Sequence, residues 1–292
     1  MSPLTHEFSA TFAASPERVF HALTDEAELA RWFAEAVEVE LQPGGEFRFW
    51  GKHTYCAPTR SQSSQKVLRV EAPRLLAFSW RFEERDSEVT LELTPDATGA
   101  GSTVLNGKHH FAEAPSVVRA LDLIDDLWRM TFANLRAHLE GGGGVCLPDF
   151  SDPLPRLRQT ILINAPRPTV FDALLNPDIL NKWIAAEATV DPRVDGRYSF
   201  GWKYDVRGRE VAGGPTRILE LVENTKLVTD WPDWRGEPDR PVQRLTWLLE
   251  PIGDHTRVTL IHEPFERAVD FSDYPHGWAH FLGQLKSQIE TA

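Results

Sequence analysis

The chain states one pattern twice. Val19-Phe20-His21-Ala22-Leu23 recurs as Val170-Phe171-Asp172-Ala173-Leu174, a shift of 151 positions. The same shift carries Leu29 onto Leu180, Trp32 onto Trp183, Gly45 onto Gly196, Phe47 onto Tyr198, Phe49 onto Phe200 and Trp80 onto Trp231. Solenoid repeats are far shorter, because their units cannot bury a hydrophobic face alone; this period is that of an independent domain. The 292 residues are therefore expected to form two copies of one fold, each long enough to bury a core without metals or disulfides.

The boundary is written in composition. The run Gly141 to Gly144 makes a flexible break, and Pro148, Pro153 and Pro155 stiffen the approach to the second copy. This gives domains at 1–143 and 156–292 with a linker at 144–155, whose Leu147 and Phe150 are apolar enough to pack down. Within each copy a strand (residues 8–13 and 158–163) precedes two short helices. Ser15-Pro16 and Asp25 with Glu28 are helix-start signals in the first copy, and Asn176-Pro177 is one in the second. Alternating strands follow, and each copy closes with a long helix. Leu121, Ile124, Trp128, Phe132, Leu135 and Leu139 form one apolar stripe; Trp278, Leu282, Leu285 and Ile289 form the other. The economical architecture is α+β: a curved antiparallel sheet wrapped around the long C-terminal helix, with two short helices after the first strand.

A net charge of −12 argues against nucleic acid and against anionic membrane surfaces, both of which need basic clusters. Cys56 and Cys146 have no counterparts in the other copy, so free thiols in a reducing compartment are expected. The N-terminal sequence has no basic start followed by an apolar stretch, and no run reaches transmembrane length, so a cytoplasmic location is the expectation.

Several segments resemble a known family. They are Trp32 and Trp183 after a short helix, the Gly44-Gly45 and Asp195-Gly196 turns, Arg74-Leu75-Leu76-Ala77-Phe78-Ser79-Trp80, His262-Glu263-Pro264-Phe265, and His276-Gly277-Trp278. Together they resemble the family related to the activator of the heat-shock-protein-90 ATPase, in the START-like, Bet v 1-like (SRPBCC) superfamily. The first copy departs from the pattern: residues 105–111 only approximate the His-Glu-Pro-Phe segment, and Leu127-Trp128 replaces Gly277-Trp278. The resemblance implies two tandem helix-grip domains, each with a cavity between sheet and helix. Superfamily members include lipid and steroid carriers, polyketide cyclases and aromatases, and chaperone-regulating domains, so the fold alone does not choose a function.

The repeated aromatics are the best site candidates: Phe47, Phe49, Trp80 and Trp128 in the first copy, and Tyr198, Phe200, Trp231 and Trp278 with His262 in the second. Facing the sheet–helix gap, they would line a mostly apolar pocket. His276 and His280 share a helix face but lack a ligand cluster, and Cys56 has His53 three residues away without defined geometry. No nucleophile elbow, phosphate loop or dinucleotide fingerprint is present. The expectation is a non-catalytic, cofactor-free and metal-free binding protein for a small hydrophobic molecule. The alternatives are a cyclase or dehydratase on an aromatic or polyketide-like substrate, and a modulator of a chaperone ATPase. A monomer with its halves paired about a pseudo-two-fold axis is expected from the fusion. Residues present in one copy only, such as His53, Cys56, His276 and His280, are where a specific function would reside.

Overall fold

Strict alternation sets the first strand. β1 (Leu4–Phe12) turns Leu4, His6, Phe8, Ala10 and Phe12 away from solvent and exposes the residues between them. Ser15 then caps α1 (Pro16–Thr24), its hydroxyl accepting from Arg18 N, while Pro16 sits where a missing N–H costs nothing. Asp25 ends α1 and caps α2 (Glu26–Trp32), accepting from Glu28 N at 3.0 Å. One acidic residue thus makes two short helices instead of one long one. The hairpin β2 (Ala36–Val39) and β3 (Phe47–Trp50) follows. β4 (Val67–Glu71), β5 (Leu75–Phe82), β6 (Arg85–Pro95) and β7 (Thr103–Phe111) complete an antiparallel sheet in the order β1-β7-β6-β5-β4. α3 (Ala120–Leu139) buries Ile124, Trp128, Phe132 and Leu135 in the core that this sheet encloses.

This is a computed structural model, and it describes residues 2–97, 101–206, 208–237 and 239–291. The chain divides into two units: Met1–Pro153 with Arg267–Asp273, and Leu154–Glu266 with Tyr274–Ala292.

The second unit repeats the order. β8 (Leu157–Ile163), α4 (Arg167–Leu175), α5 (Pro177–Trp183), β9 (Thr189–Val190) and β10 (Tyr198–Ser199) lead into the hairpin β11 (Trp202–Val206) and β12 (Arg209–Gly213). β13 (Ile218–Val222), β14 (Lys226–Trp231), β15 (Gln243–Ile252) and β16 (His255–Glu263) then form the sheet β13-β14-β15-β16-β8, and α6 (Tyr274–Glu290) closes the unit. The β11–β12 hairpin has no sequence forecast. Its exposed Lys203, Tyr204 and Asp205 carry no buried alternation to announce it. The first copy has only a 3-10 turn, Arg60–Gln62, in the corresponding stretch.

The shared residues hold the fold. Trp32 Nε1 donates to the Ala22 carbonyl at 3.0 Å, and Trp183 Nε1 to the Ala173 carbonyl at 3.1 Å, tying the second short helix to the first in each copy. Thr103 and Thr256 each donate to a carbonyl just past the opening strand, Ala14 at 2.6 Å and Ala165 at 2.7 Å. A Cβ on Gly45 would lie 2.3 Å from the Glu40 carbonyl oxygen, and one on Gly196 2.1 Å from that of Asp191, so the turn closes only with glycine. Gly107 is required for a different reason. It pairs with Phe8 across the β1–β7 ladder, and a Cβ there would fall 1.7 Å from the ring, which stacks on Trp128 at 4.4 Å. Among the described residues no helix is long and apolar enough to cross a membrane.

Candidate functional site

All nine candidate residues are buried: Phe47, Phe49, Trp80 and Trp128 in the first unit, and Tyr198, Phe200, Trp231, His262 and Trp278 in the second. They come together because inward positions of the strands face the apolar stripe of the closing helix. Trp80 meets Phe49 edge-on at 5.2 Å and Trp128 at 6.1 Å; Trp231 meets Trp278 at 5.1 Å. Phe49 is packed among Phe33, Phe47, Phe78 and Trp80, and Tyr198 donates to the Leu174 carbonyl at 2.7 Å.

A histidine stands at the centre of each aromatic group: His262, a candidate from the sequence, in the second unit, and His109, which the sequence reading missed, in the first. Trp128 Nε1 donates to His109 Nδ1 at 3.3 Å, and Trp278 Nε1 donates to His262 Nδ1 at 3.2 Å. Because Nδ1 accepts, Nε2 carries the proton. It donates to Ser87 Oγ (2.8 Å) from His109 and to Gln243 Oε1 (2.9 Å) from His262; Ser87 in turn donates to the Trp80 carbonyl at 2.7 Å. Burial, with the charge of His6 adding to it, holds the His109 pKa down at about 3, and burial alone does the same for His262. Both rings are neutral with both nitrogens engaged. They pin the closing helix to the sheet and are poor proton carriers near neutral pH. The repeat would have revealed His109, but at a shift of 153 positions instead of 151, because loop lengths between the later strands differ.

The first unit contains two small cavities of about 20 Å³ each. One is lined by apolar side chains including Phe47, Leu76, Phe78 and Trp128. The other is mixed: Trp32, Phe33, Trp80, Leu127 and Met130 meet His53, Thr54, Tyr55, Thr131 and Asn134, and Leu147, Pro148 and Phe150 form one wall. The linker therefore packs down here, as its apolar residues forecast. Phe150 lies against Tyr55 with ring centroids 5.5 Å apart. Trp80 Nε1 and Thr54 Oγ1 are buried without a hydrogen-bond partner among the described residues. In the second unit Trp247 Nε1 and Thr229 Oγ1 are in the same condition.

Cys56 and His53 do not act together. His53 Nδ1 donates to the Pro148 carbonyl at 2.9 Å, whereas the Cys56 thiol points to Glu83 Oε1 at 3.7 Å. Burial, reinforced by Glu83, pushes the Cys56 thiol up to about 12, which leaves it without a thiolate at neutral pH. The Tyr55 hydroxyl also donates to Glu83, and burial with that bond raises its pKa above the ordinary range. His280 is exposed and His276 half-buried; among the described residues no group of three or more His, Cys, Asp or Glu side chains is placed to hold a metal ion.

Residues 13–140 and 164–290 each match the family described as Activator of Hsp90 ATPase homolog 1-like protein. Similar solved structures include DynU16, from the dynemicin biosynthetic locus, at 18% identity over 97% of this chain and 97% of that one, with a TM-score of 0.41. CalU16 from Micromonospora echinospora is 25% identical over 47% of this chain and 76% of its own, with a TM-score of 0.37. The Aha1 dimer from Colwellia psychrerythraea is 21% identical over 47% of this chain and 97% of its own, also at 0.37. No curated protein matches the sequence.

Proposed function

The chain belongs to the Activator of Hsp90 ATPase homolog 1-like family in both of its repeats, and within that frame we propose that it is a binding protein for a small, mostly apolar molecule held between sheet and closing helix. The observation that carries the reading is the pair of unpartnered polar groups inside each aromatic interior: Trp80 and Thr54 in the first unit, Trp247 and Thr229 in the second. An interior donor left without a partner costs about 1–3 kcal/mol, which packing does not return and a ligand's acceptor atom does. A binding role is favoured over cyclase chemistry by His109 and His262, whose nitrogens are committed to Trp, Ser and Gln partners.

The test is native mass spectrometry of the chain purified from cells, together with a thermal-shift screen of aromatic, steroid and fatty-acid compounds. A non-covalent adduct lost on denaturation, or a melting temperature that rises with ligand concentration, is the expected outcome. A chain that carries no adduct and whose melting temperature no compound moves at about 100 times a micromolar Kd rejects the proposal.

A further inference from the structure

We propose that the first unit carries a polar subsite, Trp80 Nε1 with Thr54 Oγ1, for the carbonyl or phenolic oxygen of an aromatic ligand, and that residues 147–150 of the chain fill the place of that ligand's apolar body. The inference rests on the ligand-binding reading above and adds the subsite, the ligand chemistry and the element that gates it.

Two independent observations meet at one cavity. Trp80 is 3% exposed and Thr54 is 5% exposed, both side chains line the cavity, and neither polar atom has a partner among the described residues. Comparison of the copies shows that the Trp80 condition is not a requirement of the fold. Its repeat equivalent, Trp231, donates to the Tyr274 hydroxyl at 3.1 Å. Thr54 has no equivalent at all, because the second copy builds the β11–β12 hairpin in that stretch. An indole N–H can only donate, and a threonine hydroxyl can donate beside it. The matching ligand atom is therefore an acceptor oxygen, and the surrounding Trp32, Phe33, Leu127 and Met130 select an apolar, aromatic remainder.

The cavity volume of about 20 Å³ is the size of one water molecule, whereas ligand sites span about 300–1,000 Å³. One wall of this small space is made by Leu147, Pro148 and Phe150. That wall is fastened through its backbone. Asn134 exchanges two hydrogen bonds of 2.9 Å with Cys146, His53 donates to the Pro148 carbonyl at 2.9 Å, and Phe150 N donates to the Lys52 carbonyl at 2.9 Å. On its N-terminal side the segment follows Gly141 and Gly142, both at positive φ, which supply a hinge. A ligand and the segment therefore compete for one space, and apparent affinity is reduced by the fraction of time the segment is docked.

The experiment titrates the full chain with 2-acetylnaphthalene and with 2-ethylnaphthalene, which differ in the carbonyl group, following tryptophan fluorescence and the indole N–H resonance of Trp80. The ketone is expected to bind about tenfold more tightly, the worth of one net hydrogen bond. Trp80→Phe and, separately, Thr54→Val are expected to bring the ketone towards the level of the hydrocarbon, with circular dichroism confirming that each variant is folded. Phe150→Ala is expected to tighten both probes by a common factor of about ten. If both probes bind equally well to the wild type and to Phe150→Ala, the cavity holds an ordered water only and the polar subsite is refuted, while the general binding reading stands. If Phe150→Ala binds the probes no more tightly than wild type, the segment is not the gate. If neither probe binds even to Phe150→Ala, this proposal fails for the first unit, and the second unit's response in the compound screen decides the general reading.

Discussion

Lowering the pH from 7 to 5 should destabilise each unit through its buried histidine. In the folded chain His109 and His262 have pKa values near 3 because burial opposes the imidazolium and their partners fit only the neutral Nε2–H form. In the unfolded chain each returns to about 6.5. The folded pKa is depressed, so below pH 6.5 the unfolded state binds the extra proton. Stability is complete above pH 6.5 and is lost as the pH falls towards 3. At pH 5 the unfolded state gains about 2 kcal/mol per histidine, before most carboxylates begin to titrate. His6, which adds to the depression at His109, faces Asp125 at 3.6 Å. The assay is urea denaturation followed by tryptophan fluorescence at pH 7, 6 and 5 for the wild type, His109→Gln and His262→Gln. Each variant should lose about 2 kcal/mol of the pH dependence of its own unit, whatever its stability at pH 7. A direct check is the ring-proton NMR shift of the two histidines, which should stay constant in the folded protein from pH 7 to 4. Equal pH slopes in wild type and variants, or an imidazole titrating near 6.5 in the folded chain, would refute the assignment.

Three further outcomes follow from the geometry. Trp32→Phe and Trp183→Phe each remove a donor to a buried carbonyl and some core volume, so each should cost about 2–4 kcal/mol by chemical denaturation, and the two costs should agree within about 1 kcal/mol. Gly107→Ala should cost about 1–3 kcal/mol by forcing the Phe8 ring from its place, and the double change with Phe8→Ala should cost less than the sum of the two singles; additivity would show that the contact is not what requires glycine. The thiols of Cys56, with its pKa pushed to about 12, and of Cys146, whose pKa partial burial raises, should react with a disulfide reagent at pH 8 far more slowly than a free thiol, and labelling at the free-thiol rate would contradict the raised pKa values.

The contrast between the two copies separates kinds of information. Trp32 and Trp183, or Gly45 and Gly196, are legible at one fixed shift because they lie in the first part of each copy, where helix and turn signals are local and loop lengths are equal. His109 and His262 lie beyond loops of different length. A single shift hides their equivalence, so His262 stands among the candidates and His109 does not. The β1–β7 and β6–β7 registers are what turn His109 inward onto Trp128.

The linker makes the same point for the candidate site. Leu147 and Phe150 are visible as apolar residues in a Gly- and Pro-rich stretch, which says that they will seek cover but not where. Their cover is the polar-lined cavity beside Thr54 and Trp80, and that meeting joins residues far apart in the chain. Local chemistry and the repeat were sufficient for the duplicated architecture, for the order of elements apart from the β11–β12 hairpin, and for nine of the side chains that are buried in the cores. Which indole donors find acceptors, which histidine nitrogens are engaged and what closes a cavity were decided by tertiary structure. Hydrogen bonding and cavity volume depend on distances of a few tenths of an ångström between strands and helices, and sequence periodicity carries no such distances.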